Sequence, residues 1–509
     1  MNKKGFTLIE LMGIIILMSV LILLASPTVI EVVKKSREKL RYQNINTIVE
    51  AARQWVASNY NKVEVPDSAG ESYCMNLSTL KKTEFFEDVD VIDPTDTSVK
   101  FDGSIIITYN ANTKQNDFEY VNTKCTREGA VTNYADSSGA NSPIVTDNMI
   151  PVKYVSGKTI VANRENEWYN YDKSNWANVV VVKANKYASY VKAYDTEIAS
   201  SDILGYFVWI PRFKYQIWDN DGSSKTPQTI NVKFESGVNM TGSGSTNGEW
   251  ITHPAFCFGT VINDSRKKCS GEEVTGLWIG KFETSGSVTD PKVISNASAL
   301  VSQNLSNQIK TAKAFTTKYS LIKETDSHVM KNTEWGAVAY LSHSKYGNYN
   351  TSSSKNVEVT VNNGSTTGGG TFTSNTNQST TNNAYGVYDM AGGKKERVAS
   401  NVLTTSKNFN AASSGITQLD SKYYDKYANI TVNTTHTNGH LGDATKEITL
   451  VGSNTGWYDD KTLSAVSSTP FYIRGGLSSD SNSAGIFAFE SDNGASNSSV
   501  GFRIVLVGK

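Results

Sequence analysis

The run Lys4-Gly5-Phe6-Thr7-Leu8-Ile9-Glu10 opens an apolar stretch that extends to Ala25 and leads into Pro27. Asn2, Lys3 and Lys4 form a short basic leader before the Gly-Phe junction, and Glu10 is the single carboxylate inside the stretch. At about 1.5 Å per residue, some twenty helical residues span roughly 30 Å, the hydrocarbon thickness of a bilayer. Lysines on the leading side keep that end cytoplasmic, so the chain beyond Pro27 is expected outside the cytoplasm. The pattern predicts a membrane-spanning helix with one charge inside it.

A secretory signal peptide is cut after its apolar core, at a small-x-small step. Ala25-Ser26-Pro27 suits that cut poorly, because Pro27 stands where the chain would be cleaved. A plain anchor leaves Glu10 unexplained, since an ionised group in the span costs at least ~2.5–3.5 kcal/mol and calls for a partner. Cleavage between Gly5 and Phe6 would create an α-amino group able to pair with Glu10 of a neighbouring copy. Lys4 to Glu10, the apolar run and Pro27 together resemble the N-terminus of type IV prepilins and pseudopilins. The resemblance implies that a prepilin peptidase cuts after Gly5 and N-methylates Phe6, and that Glu10 serves filament assembly. It also implies other pilin subunits and the membrane as partners. The chain would cross the inner (cytoplasmic) membrane once and reach the cell surface or a pilus after processing.

The 509 residues suggest two to four domains. Lys plus Arg and Asp plus Glu number 49 each, so no global field selects nucleic acid as a partner. Ser, Thr, Asn, Gly and Tyr are abundant, a mix suited to a loop-rich extracellular surface. The four cysteines, Cys74, Cys125, Cys257 and Cys269, lack Cys-x-x-Cys spacing. Outside the cytoplasm they read as disulfides rather than metal ligands. Three connectivities are possible; local pairing, Cys74 with Cys125 and Cys257 with Cys269, is the expectation because each pair lies within one segment. No cofactor and no metal site is expected.

After Pro27, Ile45, Ile48, Val49, Ala52, Trp55 and Val56 recur at helical spacing and form one apolar stripe. Pro27 lacks a backbone donor and should kink the helix at the membrane surface. Lys34, Lys35, Arg37, Lys39 and Arg41 read as a solvated helix face. Ser104–Tyr109 and Phe118–Val121 are rich in β-formers around a polar connection and read as a hairpin. A bridge from Cys74 to Cys125 would staple a small domain with little core. The expected divisions are a leader at 1–5, a membrane-spanning and amphipathic helix at 6–60, a small pilin-like domain at 61–125 and a Ser/Thr/Asn/Gly-rich linker at 126–148. A second domain fills 149–509, with a polar insertion at 342–383 expected to be a surface loop.

Aromatic motifs punctuate this second domain: Trp168-Tyr169-Asn170-Tyr171, Phe207 to Arg212, Leu277 to Glu283, Asn332 to Leu341 and Tyr385 to Gly393. Arg474-Gly475-Gly476 and Gly501-Phe502-Arg503 close the series. Their order resembles the C-type-lectin-like fold of the formylglycine-generating enzyme (sulfatase-modifying factor) superfamily. The expected fold class is α+β, with a long N-terminal helix and small pilin-like sheet, then a loop-rich lectin-like domain. That family's oxidase activity uses a C-terminal cysteine pair, yet no cysteine follows Cys269 here, and Gly392 to Val398 departs from the family's Gly-Asn-Val-Trp-Glu-Trp-Val. The expectation is no enzymatic activity. Lys394, Lys395, Glu396 and Arg397 read as a solvated charge run, and the calcium-dependent sugar motifs of lectins do not occur.

A binding surface is expected instead in Leu477 to Val500. Its candidate contacts are Leu477, Ser478, Ser479, Asp480, Ser481, Asn482 and Ser483 on one flank. On the other stand Glu490, Ser491, Asp492, Asn493, Ser496, Asn497, Ser498 and Ser499. Gly485 to Phe489 would pin the segment to the core, and short polar flanks adapt to a ligand at little entropic cost. The layout between Arg474-Gly-Gly and Gly501-Phe-Arg resembles the variable region of retroelement-diversified proteins; a polar loop without special role has the same composition. The functional expectation is a minor or tip pilin-like subunit that displays a lectin-like domain to an extracellular protein or glycan. The alternative is a pseudopilin of a type II secretion-like or DNA-uptake machine.

Overall fold

The computed structural model describes residues 9, 12, 13, 15, 16, 27–59, 65–66 and 71–508, with short interruptions at 88, 111–112, 126–128, 133, 147, 165, 192, 237, 260–268, 270, 322–324, 404–408 and 410–411. The chain divides into two compact units, Met1–Asn133 and Tyr134–Lys509.

In the N-terminal unit, helix α1 (Pro27–Asn59) is followed by β1 (Glu71–Asn76), a short helix α2 (Leu77–Leu80), β2 (Ser104–Asn110), β3 (Gln115–Val121) and β4 (Gly129–Thr132). The strands form an antiparallel sheet in the order β3-β2-β1-β4. At 1.5 Å per residue α1 is about 50 Å long. Its first turns are wet: residues 31–40 are all exposed. Only the second half carries the apolar stripe, where Ile48, Ala51, Ala52 and Val56 are buried against Met75, Leu77, Leu80, Ile105 and Ile107. Arg41 departs from the solvated face expected of the basic residues. Its Nε donates to Asp93 Oδ2 at 2.8 Å, and its guanidinium lies 5.7 Å from the Phe101 ring centre. Cys74 on β1 is bonded to Cys125 just beyond β3, with Cα atoms 5.8 Å apart.

Among the described residues no helix is long and apolar enough to cross a membrane. The apolar run Phe6–Ala25, apart from Ile9, Met12, Gly13, Ile15 and Ile16, lies outside the described residues, as does the chain entering Pro27.

The C-terminal unit begins at Tyr134, so residues 134–148 of the expected linker belong to a folded body. Trp209 and Trp278 each need an acceptor for a buried indole N–H. Asn141 and Ile144 supply it through their carbonyls at 3.1 and 2.6 Å, while Asn141 Nδ2 donates to the carbonyls of Glu235 and Thr275. The strands that position the site are β5 (Met149–Val155), β6 (Lys158–Val161), β7 (Asn178–Val182), β8 (Ile203–Pro211), β9 (Gly276–Gly280) and β10 (Asp326–Val329). They continue with β11 (Lys395–Arg397), β12 (Phe471–Gly475), β13 (Gly485–Asp492), β14 (Val500–Gly501) and β15 (Ile504–Val507). One seven-stranded sheet runs β10-β15-β9-β8-β7-β5-β6, and a second, four-stranded sheet runs β13-β12-β11-β14. The rest is small two- and three-stranded ladders and few helices, an α+β architecture. β7, β8 and β9 are buried along their whole length, which their unbroken Val/Ile/Phe/Trp character requires.

The polar insertion is only in part a surface loop: residues 350–355 and 363–365 are exposed, whereas other parts enter the core. Ser342, Ser344, Thr367, Ser379 and Thr380 are buried, and Phe372 joins the aromatic core beside Tyr154, Tyr206 and Phe282. Side-chain hydrogen bonds do what apolar packing does elsewhere. Ser342 Oγ donates to the Thr380 carbonyl at 2.9 Å and Thr367 Oγ1 to that of Ile294 at 2.6 Å. Cys257 and Cys269 are bonded, with Cα atoms 5.5 Å apart.

Candidate functional site

Gly5, Phe6 and Glu10 lie outside the described residues. The candidate surface at 477–499 is described throughout. Its two flanks leave opposite ends of β13, about 25 Å apart for eight extended residues. The returning segment brings the second flank back: the Ser478 N–H donates to the Gly393 carbonyl at 3.1 Å, and the Lys395 N–H donates to the Ser499 carbonyl at 3.1 Å. Ser478 and Ser499 therefore flank the same three residues, Gly393 to Lys395. Gly485 is obligatory at the turn into β13, because a Cβ there would meet Asp460 Oδ1 at 2.0 Å.

The charged members of the surface are spent internally. Glu490 accepts from Lys395 Nζ at 2.6 Å and from Lys461 Nζ at 2.9 Å; Lys395 also lies 3.5 Å from Asp480. Asp492 accepts from Arg397 Nε at 2.6 Å, and Asp480 Oδ2 from the Leu477 N–H at 3.0 Å. Ser491 Oγ accepts from Thr469 at 2.9 Å. What remains exposed is uncharged: Ser479, Ser481, Asn482 and Ser483 at one tip, Asn493, Ser496, Asn497 and Ser498 at the other.

Residues 394–397 are not a solvated charge run: Lys395 is half-buried and the two charges after it lie inside. Glu396 and Arg397 are each at most 1 % exposed. Arg397 also donates to Gln308 Oε1 at 2.8 Å and the Ala495 carbonyl at 2.9 Å. Glu396 is paired with Arg503 through both carboxylate oxygens, while Arg503 donates further to the carbonyls of Gly280 and Tyr388. Burial drives the Glu396 carboxyl up to about 7 against the pull of Arg503.

Beside Gly393 opens a polar cleft of about 150 Å³. Its floor includes Glu283, which follows β9 and is 2 % exposed. One wall is the loop Asn363 to Thr366, drawn from the polar insertion; the other is Gly393, Lys394 and Ser478. Asp389 builds the first wall by accepting from Asn362 Nδ2 at 2.8 Å and the Gly368 N–H at 2.9 Å. Gly392 and Gly393 both have left-handed φ, +79° and +66°, and a Cβ on Gly393 would stand 3.1 Å from Glu283 Oε1. Glu283 Oε1 accepts the Lys394 N–H at 2.7 Å. Burial first, then the neighbouring Asp389 and Glu396, push the Glu283 carboxyl well above the usual carboxylate range.

In the sequence, Glu283 stands only as the end of an aromatic motif. One signal does mark it: Lys281 and Glu283 stand two apart directly after an all-apolar strand, so two charges follow the buried run. Lys281 Nζ is held by Asn178 and two carbonyls, whereas Glu283 meets the cleft.

No curated protein matches the chain. Residues 1–26 match a family model described as the prokaryotic N-terminal methylation motif. The chain thus carries a type IV prepilin-like N-terminus, the kind of segment that interacts with pilin subunits and prepilin peptidase.

Proposed function

We propose that this protein is a surface-displayed, type IV pilin-like minor or tip subunit whose C-terminal unit is a non-enzymatic, lectin-like ligand-binding domain for adhesion or recognition. The observation that carries the reading is a methylation motif at residues 1–26 on a chain whose C-terminal unit presents two uncharged Ser/Asn tips on a rigid sheet. Such a large unit is too bulky to repeat along a shaft, which favours a tip position. The internal pairing of Asp480, Glu490 and Asp492 leaves short neutral side chains to meet a ligand. Both cysteine pairs are closed as disulfides, which supports the non-enzymatic reading because thiol chemistry of the formylglycine type needs thiolates. In this reading the peptidase cuts between Gly5 and Phe6, and Glu10 pairs with the new α-amino group of a neighbour.

The test has two arms. Glu10→Ala should leave the protein in the membrane but poorly incorporated into filaments; normal incorporation would remove the pairing role. Glycan and host-protein arrays probed with the full chain should yield ligands lost on replacing Asn482, Asn493 and Asn497. Binding that survives those changes would sink the assignment of the tips.

A further inference from the structure

The Glu283 cleft is a poor place for a carboxyl group unless something else completes it. Glu283 Oε1 has the Lys394 N–H; Oε2 has no protein donor among the described residues. Its charged surroundings are Asp389 and Glu396, with Arg503 already committed to Glu396. Lys394 offers Glu283 its backbone N–H. Two neighbouring carboxyl groups and one committed guanidinium thus surround Glu283 and hold its carboxyl toward the neutral form. Burying a carboxyl without a partner is costly.

The remaining lining is rich in hydrogen-bonding groups. Asn363 and Ser365 are exposed, Thr366 and Ser478 half-buried. None of these four side chains makes a hydrogen bond to another described residue. A cleft of about 150 Å³, the volume of an apolar cavity that holds benzene, admits the ring of one sugar, and its open side leaves room for the substituents. Here the walls are polar, which suits a ring bearing hydroxyls.

We infer that the cleft formed by Glu283, the loop 363–366 and Ser478 receives one amino-sugar unit, its primary ammonium on Glu283 and its hydroxyls on Asn363, Ser365, Thr366 and Ser478. The inference rests on the reading of the C-terminal unit as a ligand-binding domain and names a ligand chemistry for it. A bound ammonium favours the carboxylate form of Glu283, so the Glu283 proton leaves to solvent when the ligand arrives.

The full chain in detergent micelles is titrated calorimetrically with glucosamine, N-acetylglucosamine, glucose and Nα-acetyl-lysine amide. Glucosamine should bind about 10- to 100-fold more tightly than the two uncharged sugars, the range expected for a hydrogen bond to a charged group. Titration near neutral pH in buffers of different ionisation enthalpy should show proton release for glucosamine alone among the sugars. Glu283→Gln should abolish the preference while the melting curve shows a folded protein. Equal binding of the three sugars, or tight glucosamine binding by E283Q, would overturn the inference. Lysine amide binding as tightly as glucosamine would overturn the sugar assignment in favour of peptide amines. An array ligand lost on changing Asn482, Asn493 and Asn497, in a protein that ignores glucosamine, would defeat this inference alone and leave the proposed function standing.

Discussion

Lys281 Nζ donates to Asn178 Oδ1 at 2.8 Å, joining two strands' worth of chain inside the C-terminal core. The same ammonium donates to the carbonyls of Ala384 and Gly386 and lies 4.9 Å from the Tyr154 ring centre. One buried lysine thus ties the chain at the end of the polar insertion to the seven-stranded sheet. Lys281→Met would strand three acceptors at once, and the expected loss is about 3 kcal/mol in chemical unfolding. Burial pushes the Lys281 pKa well below 10.5. The unfolded chain then binds more protons across that interval, so wild-type stability should rise with pH toward 10.5. The methionine variant should lack that rise. A loss within experimental error would show the lysine to be dispensable.

His343 makes a second pH-dependent contribution, of the same sign but in an acid window. Its Nδ1 lies 2.9 Å from the Gln228 carbonyl and its Nε2 2.6 Å from Tyr458 Oη, in a buried site. Burial lowers its pKa from 6.5 to about 4. Between those values the unfolded chain takes a proton that the folded chain refuses, so stability falls as pH drops from 6.5 toward 4. The depression corresponds to about 3 kcal/mol. Denaturant melts at about pH 7, 5.5 and 4 should show this component in wild type and not in His343→Gln.

The elements legible in the sequence are those with a period. The stripe Ile48, Ala52 and Val56 and the hairpin of β2 and β3 are fixed by spacing and β-formers, signals internal to one segment. Tyr134 to Asn148 and the insertion at 342–383 escape such reading because their anchors are distant. Trp209 uses a carbonyl at Asn141, and Ser342 uses one at Thr380. Composition shows many hydroxyls and amides but not which buried group each will meet. Glu396 is hidden for a related reason. Its partner Arg503 is far along the chain, and four adjacent charges look wet until distant partners, Arg503 and Asp492, take the last two inside.

The Cys74–Cys125 bond closes a loop with a sequence separation of 51 in the N-terminal unit. Loop entropy for that length gives a stabilisation of about 4 kcal/mol. A C74S/C125S double variant should lower the melting of the N-terminal unit, and hydrogen exchange across β1, β2 and β3 should accelerate. The exchange of β7, β8 and β9 serves as an internal reference, since they belong to the other unit. Unchanged protection in β2 would mean that the α1 packing, through Ile48 and Val56, suffices alone.

Glu283 sets stability against binding. Its raised pKa means that the folded chain keeps a proton that the unfolded chain releases above about 4.5. Stability therefore falls as pH rises from 4.5 toward the folded pKa, and Glu283 burdens the protein near neutrality. Glu283→Gln keeps an acceptor for the Lys394 N–H, removes the charge and sheds the contest with Asp389 and Glu396. The variant should melt higher than wild type at about pH 7.5, and the difference should vanish near pH 4.5. A variant that melts lower than wild type at that pH would show instead that the Lys394 N–H interaction outweighs the cost of burial. A group whose replacement strengthens the fold is held there at a cost to stability, the trade-off that the proposed role in binding predicts.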